Sequence, residues 1–171
     1  MSLIVIMETD KVFICDSRMA IAFHGDANIR NYSIENILKD FTSQTFIGKD
    51  INDVATELLD YIKRKKKDLD TWFYIAGYTS SKRQIYRFNL KKLGEDVIQD
   101  VSSSRYITGE DKDVAWDIVI EKYEENKIYS NAITFIDFVF EESMKQYNGV
   151  GGEVDILLIS KNNVCEWIRK K

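Results

Sequence analysis

The chain of 171 residues contains no proline, one histidine and two cysteines, and each shortage excludes something. Without proline, the boundaries of helices and strands must be taken from glycine, asparagine and aspartate. Cys15 and Cys165 cannot form a disulfide framework, and their spacing matches no metal motif. A Ser-His-Asp or Cys-His mechanism would have to use His24, which we interpret as an ordinary loop residue.

The sequence also lacks long apolar runs and an excess of positive charge. No stretch approaches the roughly 18 uninterrupted apolar residues of a membrane span, so we predict no membrane partner. With a net charge of −4, the chain lacks the excess of positive charge that is typical of nucleic-acid-binding proteins, so we predict no nucleic-acid partner. The basic run at residues 63–67 is interpreted as a solvated helix end. We expect no cofactor, and because the opening apolar run is too short for a signal peptide, we expect a cytoplasmic location.

What is present is the composition of an ordinary folded protein, with 44% apolar and 30% charged residues. The length predicts a single domain over residues 1–171. Apolar runs at residues 3–7 and 12–15 predict an opening β-hairpin, and a second hairpin is predicted over residues 71–90. Asp50 is the predicted N-cap of a helix whose apolar positions extend to Ile62.

The remaining elements are predicted from shorter patterns. Helices are expected over residues 115–123 and 132–147, the second with Ser130 as a candidate N-cap. Strands are expected at residues 31–38, 45–48, 96–107, 154–160 and 164–168. This order predicts an α+β fold, either with two stacked sheets and helices outside or with one sheet covered by helices on one face.

The start of the chain places a hydroxyl group directly before a predicted buried strand. Met1 is followed by Ser2 and by the apolar residues 3–7, and the second strand delivers Asp16 nearby. If Met1 is removed, Ser2 carries both a hydroxyl and a free α-amine. A hydroxyl and a free α-amine are the two groups that an amine-activated nucleophile requires.

Four segments, in this order, resemble the proteasome-like family of N-terminal nucleophile (Ntn) hydrolases, which includes proteasome β subunits and their simpler bacterial relatives. The segments are Ser2-Leu3-Ile4-Val5-Ile6, Asp16-Ser17-Arg18, Tyr74-Ile75-Ala76-Gly77-Tyr78 with Ile85-Tyr86, and Gly151-Gly152-Glu153-Val154-Asp155-Ile156-Leu157-Leu158-Ile159 with Trp167. The resemblance implies a four-layer αββα sandwich of two packed antiparallel sheets. It also implies homo-oligomers and a peptide or amide substrate.

The resemblance further implies a catalytic site at Ser2 and Asp16. Ser2 would stand where the family usually has a threonine, and its own α-amine, with an ordinary pKa of about 7.7–8.0, would act as the general base. Asp16 would orient the family's catalytic lysine and the N-terminus. A capping or turn carboxylate at a strand end is an interpretation of Asp16 with nearly equal weight.

The sequence departs from the family pattern where the lysine is expected. Residues 33–36 contain no lysine, and Lys39 could replace it only if the loop shifted register. A serine expected near Glu110 is missing, and Tyr147 stands where an aspartate is usual. Loss of the lysine's charge beside a nucleophile typically reduces rates by orders of magnitude, so the site is interpreted as eroded.

Three hypotheses about function follow. We favour a non-catalytic or weakly active proteasome-like protein that uses the fold for assembly or binding. The second is an active serine peptidase or amidohydrolase that uses Ser2 after removal of Met1. The third is an unrelated α+β binding domain whose landmarks coincide by chance.

Overall fold

The computed structural model describes most of the chain and divides it into two compact units. The described residues are 3–7, 12–26, 28–29, 32–65, 69–80, 82–94, 97–103, 112–124, 132–146, 155–160, 162 and 164–170. The first unit comprises Met1–Ser104 and Val154–Lys171, and the second comprises Arg105–Glu153. That all 171 residues form one domain stays a prediction.

The first unit contains all the described strands and three of the described helices. Its strands are β1 (Leu3–Met7), β2 (Val12–Asp16), β3 (Met19–Gly25), β4 (Asn28–Ile29), β5 (Tyr32–Ser33), β6 (Thr71–Thr79), β7 (Lys82–Phe88), β8 (Gln99–Asp100), β9 (Asp155–Ser160) and β10 (Val164–Arg169). Its helices are α1 (Ile34–Thr42), α2 (Ile51–Lys63) and the single turn α3 (Leu90–Leu93). The second unit contains α4 (Lys112–Glu124) and α5 (Ala132–Gln146), which pack through Ile118, Val119 and Val139.

The described strands form two antiparallel sheets and one short ladder. The larger sheet has the order β2-β3-β6-β7-β8, the smaller has the order β1-β9-β10, and β4 pairs with β5. The predicted opening hairpin is therefore wrong, because β1 and β2 lie in different sheets. β2 pairs instead with β3, which follows it after only the two residues Ser17 and Arg18, so the nearer partner takes the strand.

Apolar side chains cover both faces of the five-stranded sheet. One face packs against α1 and α2 in a core that includes Phe13, Phe73 and Phe88. The other face packs against the three-stranded sheet, where Tyr74 and Ala76 share a second core with Leu157 and Ile159. The mixed α+β fold predicted from the sequence is confirmed. The four-layer αββα arrangement also requires helices on the far side of the smaller sheet and stays a prediction.

Several other predicted elements are confirmed. Asp50 caps α2 through a hydrogen bond that its side chain accepts from the backbone N–H of Asn52, and the buried positions of α2 run from Ile51 to Ile62. The hairpin β6–β7, the helices α4 and α5 and the strands β9 and β10 also lie close to their predicted places. The candidate cap Ser130 lies outside the described residues.

Two predicted strands are wrong, and the strands β3 and β4 are absent from the prediction. Residues 34–42 form α1, which is capped by Ser33 and buries Ile34, Ile37, Leu38 and Phe41 at helical spacing. Residues 45–48 form no strand. Phe46 is the buried residue of this segment, since it is 1% exposed whereas Ile47 is 85% exposed. β3 was not predicted, because it is apolar on both faces and shows no alternation.

The strand predicted over residues 96–107 is shorter in the structure. Only Gln99–Asp100 pair with a neighbouring strand, as β8 at the edge of the larger sheet. Residues 104–107 lie outside the described part of the chain.

No helix within the described ranges has both the length and the apolar composition that a membrane-spanning helix needs.

Candidate functional site

The turn between β2 and β3 holds the predicted catalytic residue Asp16. The backbone N–H of Arg18 donates to Oδ1 of Asp16 over 2.7 Å, and Nη2 of Arg18 donates to Oδ2 over 2.9 Å. Each carboxylate oxygen therefore accepts a hydrogen bond from the same residue two positions along the chain. This geometry is that of a turn carboxylate, one of the two interpretations that the sequence allows.

The Arg18 guanidinium also fastens a distant segment to this turn. Its Nη2 lies 3.3 Å from the carbonyl oxygens of both Phe46 and Lys49. The side chains of Asp16 and Arg18 are only 18% and 20% exposed, so their ion pair is partly desolvated. Arg18 thus links β2 to the segment before α2, a role that sequence reasoning did not identify.

Gly77 of β6 allows this turn to dock closely. A Cβ atom at Gly77 would lie 2.3 Å from the carbonyl oxygen of Arg18 and 2.9 Å from the Cα of Met19. The same carbonyl accepts a hydrogen bond from the backbone N–H of Tyr78 over 3.1 Å. The absence of a side chain at Gly77 is therefore what lets the turn reach the neighbouring strand.

The two lysines closest in sequence to the expected position do not form an ion pair with Asp16 in the part that the structure describes. Lys49 directs its Nζ to Glu57, at 2.6 and 2.7 Å from the two carboxylate oxygens. Lys39 lies on α1 and lines a cavity beside the other end of β2. At the expected position itself, Ser33 is the N-cap of α1.

The predicted nucleophile Ser2 lies outside the described residues, but the register of β1 gives the level at which that strand begins. Leu3 pairs with Ile159 of β9, and Cys165 of β10 pairs with the same residue. Burial raises the pKa of Cys165 to about 12, and the nearby Asp16 carboxylate adds to this shift. Cys165 is therefore close enough to Asp16 for the carboxylate to affect the thiol. Since Leu3 and Cys165 pair with the same residue, β1 begins at the end of the smaller sheet that lies near Asp16.

The two thiols have the properties of inert side chains. Burial is the main cause that raises the pKa of Cys15, with the charge of Asp16 and the thiol of Cys165 as further causes. A thiol whose pKa is raised stays protonated at neutral pH and is a poor nucleophile. Neither cysteine therefore supplies the nucleophile that Ser2 was predicted to be.

His24 lies in β3 and not in a loop, so that prediction is wrong. Its Nε2 is 3.1 Å from the hydroxyl of Tyr74, and the two rings stack with centroids 5.7 Å apart. Met19, at the other end of β3, pairs with Asp16. His24 lies five positions along the strand from Met19, a separation of about 17 Å, so His24 is too far from Asp16 for a catalytic triad that joins them.

The cavity that Lys39 lines, here called the β2-edge cavity, has a volume of about 220 Å³. Its lining residues come from β2, α1 and the C-terminal end of β10. They are Val12, Phe13, Ile14, Lys39, Thr42, Trp167 and Lys170. Asp16 lies two residues beyond this lining, so the cavity and the Asp16 turn are at opposite ends of the same strand.

The described residues offer no cluster of three or more histidine, cysteine, aspartate or glutamate side chains that could hold a metal ion. Glu110 and Tyr147, the positions of two departures from the family pattern, lie outside the described residues.

No protein-family model matches the chain, and no curated protein matches it either. A solved structure does: a mutant of Anbu from Hyphomicrobium sp. strain MC1, with a TM-score of 0.62 and 12% sequence identity. The match covers 98% of this chain and 72% of the Anbu chain. Anbu is a proteasome-related protein of the Ntn type. At this identity the similarity shows a proteasome-like fold and nothing about activity.

These comparisons correct the family assignment made from the sequence. Membership of the proteasome-like family of Ntn hydrolases is contradicted, because no family model matches and the similarity to Anbu, at 12% identity, is one of fold. A relation to proteasome-related proteins is supported only at that level. The residue roles that the resemblance implied must therefore be argued from the geometry of this chain.

Proposed function

We propose that this protein is a binding or assembly protein built on a proteasome-like fold, with little or no amide-hydrolase activity. The observation that carries the proposal is the Asp16–Arg18 turn, in which Arg18 donates to both carboxylate oxygens of Asp16. The carboxylate stabilises its own turn, and no lysine joins it in the described residues. The pair of groups expected beside a nucleophile is therefore incomplete.

Arg18 is a poor substitute for a lysine that tunes a nucleophile. A guanidinium stays protonated at any physiological pH, so it cannot exchange a proton with a neighbouring hydroxyl or amine. Its Nη2 atom also has three acceptors already, on Asp16, Phe46 and Lys49. Arg18 thus contributes rigidity to the turn.

One observation favours the rival function, an active peptidase or amidohydrolase that uses Ser2 once Met1 is removed. The register of β1 brings the start of that strand to the end of the sheet near Asp16. A nucleophile there would still need a free α-amine as its base, since His24 lies at the far end of β3. The rival therefore requires a processed N-terminus.

The test is covalent labelling with a peptide epoxyketone, a reagent that captures a hydroxyl and a free α-amine on the same residue. The purified protein and its Ser2→Ala variant are incubated with the reagent, and their intact masses are measured. We expect both proteins to keep their unmodified masses. An adduct that forms on the wild type and not on Ser2→Ala would overturn the proposal.

The intact mass also reports the state of the N-terminus. If Met1 is retained, the amine of Ser2 is in a peptide bond, and the rival mechanism loses its base. If Met1 is absent, Asp16→Asn is the matched control in the labelling experiment. Under the rival function this substitution would slow adduct formation, whereas our proposal expects no adduct in either protein.

We also propose that the protein forms homo-oligomers and acts in the cytoplasm. The support for the first is the proteasome-like fold, since proteins of this fold are typically oligomeric. Sedimentation velocity at several concentrations tests it, and a single species with the mass of one 20.0 kDa chain throughout would contradict it.

A further inference from the structure

The outer edge of β2 has no strand partner in the part of the chain that the structure describes. β2 is the first strand in the order of the larger sheet, with β3 on its inner side. Within the described ranges, no strand pairs with its other side. An edge strand of this kind presents a row of backbone N–H and C=O groups to any extended chain that reaches it.

The β2-edge cavity lies along this edge. Consecutive residues of a strand point to opposite faces of the sheet. Val12 accordingly belongs to the core between the sheets, and Phe13 to the core with α1 and α2. Because both of them and Ile14 line one cavity, the cavity opens onto the edge of the strand, where its backbone groups lie.

The flanks of the cavity are positively charged. Lys39 enters its lining from α1, and Lys170 enters it from the end of β10. Neither lysine forms an ion pair with another residue that the structure describes, and Lys170 lies over the ring of Trp167, 4.7 Å from its centroid. In a chain with a net charge of −4, two such lysines beside one edge favour a ligand that carries carboxylates.

We propose that the β2-edge cavity binds an extended acidic peptide segment, which adds to β2 as a further strand and places a carboxylate between Lys39 and Lys170. This inference rests on the proposed binding function and names the class of partner. Backbone hydrogen bonds along an edge give affinity to such additions, and pockets beside the edge select side chains. With about 220 Å³, the cavity is smaller than the roughly 300–1,000 Å³ of sites for whole small molecules, so it suits one side chain of a longer segment.

The probe is a fluorescein-labelled hexapeptide in which valine alternates with glutamate, and the comparison peptide has lysine in place of glutamate. Binding is measured by fluorescence anisotropy at low salt. We expect the glutamate peptide to bind and the lysine peptide not to bind. Equal binding of the two peptides, or no binding of either, would overturn the proposal.

The double variant Lys39→Glu/Lys170→Glu tests the site. Reversing two charges replaces attraction by repulsion, so the dissociation constant for the glutamate peptide should rise by at least about tenfold. The matched control, Lys65→Glu/Lys82→Glu, makes the same change in net charge at exposed positions outside the cavity and should change affinity by less than about twofold. Similar losses in both variants would show that only net charge matters and would overturn the assigned site.

Strand addition is tested on the wild-type protein, so the result does not depend on how the variants fold. Two peptides are used, one methylated at the odd-numbered and the other at the even-numbered backbone nitrogens, so each lacks N–H donors on one of its edges. The peptide that is methylated on the edge facing β2 should no longer bind. Amide shifts in a ¹⁵N–¹H spectrum should be concentrated at residues 12–14. Binding of both methylated peptides, or shifts confined to other strands, would contradict strand addition.

Three outcomes separate this inference from its alternatives. If sedimentation shows a dimer that Lys39→Glu/Lys170→Glu abolishes, a second copy covers the edge, and the peptide proposal is wrong. If the epoxyketone labels Ser2 while the acidic peptide binds as expected, the proposed lack of catalysis fails and the peptide site stands. Absence of both labelling and peptide binding leaves the proposed function intact and overturns only this inference.

Discussion

The two ends of β2 differ in how many of their polar groups have hydrogen-bond or ion-pair partners among the described residues. At the closed end, the turn of Asp16 and Arg18, the carboxylate and the guanidinium bond to each other and to two carbonyl groups. At the open end, residues 12–14, one backbone edge has no strand partner among the described residues, and Lys39 and Lys170 flank it without described ion pairs.

This difference shows why a motif and a site need not coincide. The resemblance to N-terminal nucleophile hydrolases directs attention to the closed end, because it contains Asp16. There the polar groups of Asp16 and Arg18 bond to each other and to two carbonyl groups. The partner site that we propose lies at the open end of the same strand, where the sequence shows only apolar residues.

The largest effect is expected at Phe46, whose carbonyl Arg18 contacts at the closed end. Phe46 is 1% exposed and its ring centroid lies 5.2 Å from that of Phe41, so Phe46→Ala should destabilise the protein by about 3–5 kcal/mol. The neighbouring variant Ile47→Ala, at a side chain that is 85% exposed, should change stability by less than about 0.5 kcal/mol. Urea denaturation measures both, and similar losses would show that the segment is not anchored at Phe46.

The second effect concerns the docking of the Asp16–Arg18 turn onto β6. In Gly77→Ala the new Cβ would lie 2.3 Å from the Arg18 carbonyl oxygen, so the backbone must move, at an expected cost of about 2–3 kcal/mol. Gly48→Ala is the comparison, since its Cβ would meet nothing within 4 Å and only its φ of +77° is unfavourable. That variant should lose about 1 kcal/mol. Equal losses would mean that the turn is not tightly docked.

The third effect is the loss of the cation at the closed end. Arg18→Met leaves Asp16 without its partner and two carbonyls without a donor, which should destabilise the protein by about 2 kcal/mol. At the open end, Lys39→Met and Lys170→Met should each change stability by less than about 0.5 kcal/mol. If the lysine variants lost as much stability as Arg18→Met, the contrast between the two ends would be wrong.

The effect expected from pH, through the cysteines near Asp16, is the smallest of these at neutral pH and grows in alkali. Burial raises the native pKa of both thiols, to about 12 for Cys165, above the unfolded value of about 8.5. The native protein therefore keeps protons that the unfolded chain releases, so stability is unaffected at neutral pH and falls as pH rises above about 8.5. Denaturation midpoints on either side of that pH measure the change, and a midpoint that rises in alkali would contradict it.

The same pKa shifts predict slow thiol chemistry in the native state. Iodoacetamide reacts with the thiolate, so at pH 8 the folded protein should react at least about 100-fold more slowly than the unfolded chain. Asp16→Asn removes the charge that adds to the shifts and should speed alkylation of Cys165. No change in that variant would show that the two residues are too far apart to interact.

Much of the fold could be predicted from local patterns. The helix α2 has a capping residue, Asp50, and a clean apolar period, and the hairpin β6–β7 has a short polar turn between two strands. Two other predictions are wrong, each for its own reason. The partner of β2 was decided by the shorter connection to β3, and α1 was mistaken for a strand although Ile34, Ile37, Leu38 and Phe41 have helical spacing.

The assignment of Ser2 and Asp16 as a catalytic site stays a prediction, since Ser2 lies outside the described residues. The catalytic role of Asp16 is predicted from the aspartate-led motif of the family resemblance, and its alternative role as a turn carboxylate is the one that the geometry supports. The contacts of Arg18 with residues 28 and 31 positions away arise only after folding, so no sequence spacing indicates them. The β2-edge cavity likewise joins three distant segments, and neither lysine that flanks it belongs to a motif.

The central claim is that Ser2 and Asp16 do not form a working hydrolytic site. Its most direct measurement is the rate at which the wild type and Ser2→Ala hydrolyse a panel of fluorogenic peptide amides, with the N-terminus of each protein established by mass. We predict equal rates at the level of the uncatalysed background. A wild-type rate well above background that Ser2→Ala abolishes, with its folding intact, would contradict the account.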